Sequence, residues 1–146
     1  MEENHDLFPV LVHGAIWPGN VLWSSKNNSE LLSIIDWQGC FVGSPTADLA
    51  ALLAISVSAE ERQNREDEYL EYYIQKFEQF RDREKFSAID FGTIKESYGR
   101  SLLYSMIELM VVIISNPLDD VIEEKGEIFG VMTKRLKALI EDLLLE

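Results

Sequence analysis

The stretch VHGAIWPGNVLW, residues 12–23, decides the interpretation of this chain, together with IIDWQG, residues 34–39. Short apolar runs at 9–13, 20–23 and 31–36 have the length and composition of strands. Turn-forming residues at 26–29 separate the second run from the third. We therefore predict a small β element built around a loop, with Asn20 on the loop and Asp36 at the end of the third strand.

From Asp48 onward the pattern is helical. Asp48 is a candidate N-cap for a helix over 49–57, and Ser58 lies three residues before Glu61, which is the spacing of a capping box. Apolar residues then recur at three- and four-residue steps in three further segments. The first ends near residue 82, the second spans about 93–114 and the third begins at about 118. The predicted fold class is α+β, a single domain over 1–146 in which a helical bundle follows the β element.

Charge and composition exclude several functions. The net charge of −13, from 13 basic and 26 acidic residues, repels nucleic-acid phosphates and anionic lipid headgroups. No apolar run approaches the roughly 20 residues of a membrane-spanning helix, and the acidic start lacks the basic residues of a signal peptide. We expect no nucleic-acid partner, no membrane and a cytoplasmic location. The single cysteine, Cys40, excludes an internal disulfide, and we predict that it is buried.

Two residues of the β element suit a divalent cation. Mg²⁺ prefers oxygen ligands, which the side chains of Asn20 and Asp36 offer, and substrate phosphates complete its coordination. A strand–turn–strand brings the two residues together, and we expect their side chains to approach within about 4–7 Å. From the residues alone, the simpler interpretation is that Asn20, after Pro-Gly, is a turn residue and that Asp36 is a strand-end cap.

The two segments, with GSPTADLA at 43–50, resemble the catalytic core of the aminoglycoside phosphotransferase and choline kinase superfamily. The CHK kinase-like branch, also called ecdysteroid-kinase-like, is the most similar. The resemblance implies a protein-kinase-like C-terminal lobe and transfer of the ATP γ-phosphate to a small-molecule hydroxyl. It implies Mg²⁺ and ATP as cofactors, with Asn20 and Asp36 as metal and nucleotide ligands. It also implies that His13 orients the loop and that Asp48 hydrogen-bonds back to it, a plain helix N-cap being the alternative for Asp48.

One position departs from that family. Its loop carries an aspartate two residues after the histidine, where this chain has Ala15. A methyl group accepts no proton, and loss of a general base typically lowers the rate about 10²- to 10⁴-fold. The resemblance also places a nucleotide-binding lobe before the loop, yet about a dozen residues precede it here and none of the eight glycines forms a phosphate-binding loop.

We therefore expect a partial C-terminal lobe that is catalytically inactive as this chain. The alternatives are a fragment of an active small-molecule kinase and an acidic helical interaction module. A small-molecule alcohol is an expected partner only when an N-terminal lobe completes the site. Helices of the related kinases pack on segments that precede the loop. We therefore expect an exposed apolar helical surface that promotes self-association or binding of a protein partner.

Overall fold

The computed structural model describes residues 7–27, 30–82, 88–115 and 123–145. Its architecture confirms the predicted α+β class, because a small β element is followed by four helices. The strands are β1 (Val10–Val12), β2 (Val21–Trp23), β3 (Leu31–Ile34) and β4 (Phe41–Gly43). The helices are α1 (Ala47–Ser56), α2 (Ala59–Phe80), α3 (Phe91–Ser115) and α4 (Glu123–Leu145).

The β element consists of two antiparallel pairs. β2 pairs with β3, and Val21 lies opposite Ile34. β1 pairs with β4, and Val12 lies opposite Phe41. β1, β2 and β3 lie within the predicted strand segments. β4 was not predicted, because it forms by pairing with the distant strand β1. Short 3₁₀ turns at Pro18–Asn20 and Trp37–Gly39 connect the strands.

Capping residues define the ends of the long helices. The Ser58 hydroxyl accepts a hydrogen bond from the Glu61 N–H at 3.1 Å, which confirms the predicted N-cap of α2. The Asp90 carboxylate accepts a hydrogen bond from the Thr93 N–H at 3.0 Å and begins α3. The sequence Asp90-Phe91-Gly92, which spells the metal-binding triplet of protein kinases, is thus a helix start.

The core lies among the helices, with α3 at its centre. Its side chains come from all four helices and from residue 89, just before α3: Ala50, Leu53, Ala54, Leu70, Ile89, Ile94, Tyr98, Leu102, Leu109 and Leu139. No helix of the described residues is long and apolar enough to cross a membrane. The β element contributes little to this core, and large apolar side chains of all four strands are exposed.

The structure corrects the prediction for Cys40, which is exposed rather than buried. Cys40 lies between the 3₁₀ turn Trp37–Gly39 and β4, in the β element, which contributes no side chain to the core among the helices. Residues 28 and 29 of the predicted turn, the first part of a loop predicted around 86–90, and Asn116-Pro117, where the third helical segment is predicted to stop, lie outside the described residues.

Candidate functional site

Asn20 and Asp36 meet at one end of the β2–β3 hairpin. The pairing of Val21 with Ile34 continues in a hydrogen bond from the Ile35 N–H to the Asn20 carbonyl at 3.0 Å. This register places Asp36 beside Asn20, and the distance from Asn20 Nδ2 to Asp36 Oδ2 is 3.5 Å. The predicted proximity of the two side chains is therefore confirmed, at a distance shorter than expected.

The orientation of the Asn20 amide is fixed by its second contact. Nδ2 donates a hydrogen bond to the Ala15 carbonyl oxygen at 2.9 Å, and a carbonyl oxygen only accepts. The oxygen Oδ1 is therefore the remaining acceptor of this side chain. Asn20 is 7% exposed, so the amide is held in place, whereas Asp36 is exposed.

Asp36 has a left-handed backbone conformation, which residues other than glycine rarely adopt. Its φ of 67° and ψ of 55° lie in the left-handed region, and it is the one non-glycine residue with positive φ among the residues described. Such conformations cost about 1–3 kcal/mol and concentrate at functional sites. The neighbouring Ile35 carbonyl accepts a hydrogen bond from His13 at 2.8 Å, which holds the backbone next to Asp36.

His13 uses one ring nitrogen to contact its own loop and the other to contact Ile35, the residue after β3. Its Nδ1 accepts a hydrogen bond from the Ala15 N–H at 3.2 Å, so the ring proton is on Nε2, which donates to the Ile35 carbonyl. The ring is 2% exposed and packs against the Trp37 ring with centroids 4.6 Å apart. His13 is therefore an orienting residue, as the resemblance implies, and has no ring nitrogen left to act as a base at Ala15.

Asp48 holds the same loop through hydrogen bonds to its backbone. Its carboxylate accepts hydrogen bonds from the backbone N–H groups of His13 at 2.7 Å and Gly14 at 3.0 Å. The N-cap of α1 is Thr46, and Asp48 lies in the first turn of that helix. The alternatives for Asp48 are thus resolved in favour of the contact with the loop.

Gly14 permits the close approach of two loops. Its φ is 76°, and a Cβ at this position would lie 2.3 Å from the Gly39 carbonyl oxygen. Any side chain would both strain the backbone and separate the 13–20 loop from the turn that follows Asp36.

A buried cluster of hydroxyl groups anchors the start of α1. Thr46 Oγ1 lies 2.8 Å from Ser44 Oγ, 3.0 Å from Ser97 Oγ and 2.8 Å from Ser101 Oγ. Thr46 is fully buried, and Ser97 and Ser101 belong to α3. The cluster therefore fixes the turn that carries Asp48 against the helical core. The sequence analysis did not identify it, because serine and threonine are ordinary residues of turns and helix caps.

Two groups near Asp48 have raised pKa values. Burial, and after it the charge of Asp48, raises the pKa of the Tyr73 hydroxyl, which donates a hydrogen bond to the Pro45 carbonyl at 2.9 Å. Burial and then the charge of Asp48 also raise the pKa of Glu108 on α3. The ionised forms of both groups are thus disfavoured near the turn that supports the loop.

The arrangement provides two oxygen ligands for a cation, Asn20 Oδ1 and the Asp36 carboxylate. The described residues contain no group of three or more His, Cys, Asp or Glu side chains that would hold a metal by themselves. The pair therefore fits Mg²⁺ only as a partial site, of the kind in which phosphate oxygens and water complete the coordination.

The fold and the site define an α+β protein in which a β element of two antiparallel strand pairs presents a carboxylate and a carboxamide beside a helical domain. The chain belongs to the DUF1679 family, described as "Uncharacterized oxidoreductase dhs-27", whose model matches residues 5–145. This family is related to the ecdysteroid-kinase-like and choline-kinase-like proteins. No curated protein and no solved structure matches the chain.

Proposed function

We propose that this chain is a C-terminal lobe of the CHK kinase-like type that retains a metal–nucleotide ligand pair and lacks the catalytic base. The observation that supports this proposal best is the contact between Asn20 and Asp36, whose side chains lie 3.5 Å apart on a loop held by His13 and Asp48. Four hydrogen bonds from residues distant in sequence hold this one loop, whereas an ordinary turn is held by bonds between neighbouring residues.

In this proposal the pair binds the phosphates of ATP through Mg²⁺. Magnesium neutralises phosphate charge and orients the phosphates for transfer. Asn20 Oδ1 and the Asp36 carboxylate would hold the metal, and the hydrogen bond from Asn20 to the Ala15 carbonyl would keep the amide oxygen directed outward. Two protein ligands on an acidic chain bind a metal–nucleotide complex weakly, because the sequence provides no phosphate-binding glycine loop.

The expected inactivity follows from Ala15. Phosphoryl transfer to an alcohol needs a group that orients the hydroxyl and accepts its proton, and its loss costs about 10²–10⁴ in rate. His13 does not replace it, since both ring nitrogens are engaged with backbone groups. The upstream Asp6 lies outside the described residues. A small-molecule alcohol is therefore a substrate only for a complete kinase of this type, and not for the chain described.

The word oxidoreductase in the family description finds no support in the residues. The eight glycines include no Gly-x-Gly-x-x-Gly sequence, which is typical of dinucleotide-binding folds. The free Cys40 has no cysteine partner, because it is the only cysteine of the chain. A single cysteine without disulfides suits the cytoplasm, which we propose as the location.

A second candidate function is self-association through α3. Tyr104, Ile107, Val111 and Ile114 are 54–76% exposed and follow one another at steps of three, four and three residues. This spacing is typical of the seam between two packed helices. We propose that a second copy of the chain covers this face, which gives the acidic helical domain an interaction role independent of nucleotide binding.

Nucleotide binding tests the first proposal. Titration of ATP with Mg²⁺, followed by the tryptophan fluorescence of the chain, to which Trp37 next to His13 contributes, should give a saturable change with a dissociation constant in the millimolar range. The change should require Mg²⁺ and be lost in Asp36→Asn, whereas Asp67→Asn on α2 should behave like the native chain. Binding that is unaffected by Asp36→Asn, or that does not require Mg²⁺, would contradict the proposed ligand pair.

A further inference from the structure

Glu108 lies at the edge of the exposed apolar face of α3. That face consists of Tyr104, Ile107, Val111 and Ile114, and Glu108 follows Tyr104 by four residues and precedes Val111 by three. Residues at these steps are neighbours on a helix surface, so Glu108 borders both of these apolar residues. It is exposed, and it is the only charged residue between positions 101 and 115. A partner that covers the face therefore meets one charge, a carboxylate.

No basic residue compensates this carboxylate. The positions three and four residues away from Glu108 on α3 hold a tyrosine, a serine and two valines. The ion pairs among the described residues do not include Glu108, whereas exposed acids such as Glu68 and Glu96 pair with arginines. Glu108 thus differs from these acids, whose charge is already neutralised by a neighbour.

The helices that pack on α3 leave Glu108 without an opposite charge. Burial, and after it the charge of Asp48, raises the pKa of Glu108, and Asp48 is the only charged residue of α1. Arg135 of α4 reaches α1, but it donates a hydrogen bond to the Ile55 carbonyl at the other end of that helix. Arg62 of α2 is engaged in ion pairs of its own. Among the described residues, the surroundings of Glu108 therefore favour its neutral form.

A second copy on this face would place two such carboxyl groups in the contact, one from each chain. Covering an ionised carboxylate without a partner is costly, whereas covering a neutral carboxylic acid costs much less. Both copies carry the same charge, so neither neutralises the other. Association through the face is therefore coupled to the uptake of protons by Glu108.

We infer that protonation of Glu108 regulates the association of two copies through the α3 face, which is weak at neutral pH and strong in mildly acidic solution. The regulation rests on the self-association proposed above and adds the group that controls it. The sign follows from linkage, because the associated form binds more protons than the separate chains and is therefore favoured as pH falls.

Sedimentation velocity at pH 7.5 and pH 5.5 tests the regulation. Both measurements are made in about 0.5 M salt, which screens the repulsion between two acidic chains and leaves the buried groups in control. The dissociation constant of the native chain should fall at least about 10-fold from pH 7.5 to pH 5.5. Circular dichroism at both pH values checks that the helices remain folded.

Glu108→Gln isolates the group, because it keeps the size of the side chain and every other titratable residue. Its dissociation constant should change by no more than about 3-fold between the two pH values, and at pH 7.5 it should be at least about 10-fold lower than that of the native chain. Glu68→Gln is the matched control, since it removes the same charge from an exposed acid of α2 and should behave like the native chain.

The possible failures are distinguishable. If native association is lost in Ile107→Lys and does not depend on pH, the interface stands and the role of Glu108 is overturned. A native pH dependence in Glu108→Gln would overturn it as well, because another group would then be responsible. Native chain and Glu108→Gln that are both monomeric at both pH values would overturn the proposed interface, and the regulation with it.

Discussion

Replacing Asp48 by asparagine should destabilise the fold through the loop that it holds. The carboxylate accepts two backbone hydrogen bonds, from His13 at 2.7 Å and Gly14 at 3.0 Å. The amide oxygen of asparagine keeps one of them, and its NH₂ group faces the other donor. A hydrogen bond to a charged group contributes about 1.5–3 kcal/mol, so we expect Asp48→Asn to lower the free energy of unfolding by about 2–3 kcal/mol. For a chain of this length the loss corresponds to about 5–10 °C in Tm.

Urea denaturation followed by circular dichroism measures this loss, and Asp67→Asn is the control. Asp67 is an exposed carboxylate of α2 that pairs with Lys95 at 2.7 Å, and exposed ion pairs contribute at most about 1 kcal/mol. The change in tryptophan fluorescence on nucleotide binding should also disappear in Asp48→Asn, because the loop loses one of its two supports, Asp48 and His13. If Asp48→Asn were no less stable than Asp67→Asn, the assignment of Asp48 as the residue that holds the loop would be refuted.

Three further predictions concern other parts of the molecule. Gly14→Ala should cost at least about 2 kcal/mol in urea denaturation, since its Cβ would lie 2.3 Å from the Gly39 oxygen, whereas Gly130→Ala should cost nothing; equal stability of the two would contradict this. The raised pKa of Glu108 means that the folded state binds its proton more tightly than the unfolded chain, so stability falls as pH rises above its ordinary value of 4.5. Glu108→Gln should therefore raise Tm at pH 7 and have little effect at pH 4, and equal effects at both pH values would refute the assignment. The α3 face should cause self-association that sedimentation velocity detects. The self-association should increase with salt, because salt screens the repulsion between two copies that each carry a net charge of −13, and Ile107→Lys should abolish it. A monomer at every salt concentration would exclude this interface.

The parts of the fold that the sequence predicted are those with local signals. The helices have apolar periodicity, and the Ser58–Glu61 spacing marks the start of α2 within one residue. β4 and the exposure of Cys40 were not predicted, because both depend on the pairing of β4 with the distant strand β1 rather than on the neighbouring residues. The start of α1 was also misplaced for this reason. The sequence predicts Asp48 as the N-cap, but its side chain accepts hydrogen bonds from the distant loop and the N-cap is Thr46.

The candidate site was predictable in outline from the spacing of Asn20 and Asp36. The sequence predicted Asn20 on a loop and Asp36 at the end of a strand, brought together by a strand–turn–strand, and the register of the β2–β3 hairpin determines their contact. The tautomer of His13 and the hydroxyl cluster of Thr46 were not predictable, because they depend on partners 22 to 55 residues away.

Phosphoryl transfer is the most direct test of the central claim, that the chain keeps the ligand pair and has lost catalysis. The measurement is ATP consumption by the purified chain with Mg²⁺ and a panel of small alcohols, for the native sequence, Ala15→Asp and Asp36→Ala. We predict no turnover by the native chain above that of Asp36→Ala, and no recovery in Ala15→Asp alone, since a carboxylate does not position the nucleotide. Mg²⁺-dependent turnover by the native chain that Asp36→Ala abolishes would contradict the account, because it would require a base other than residue 15.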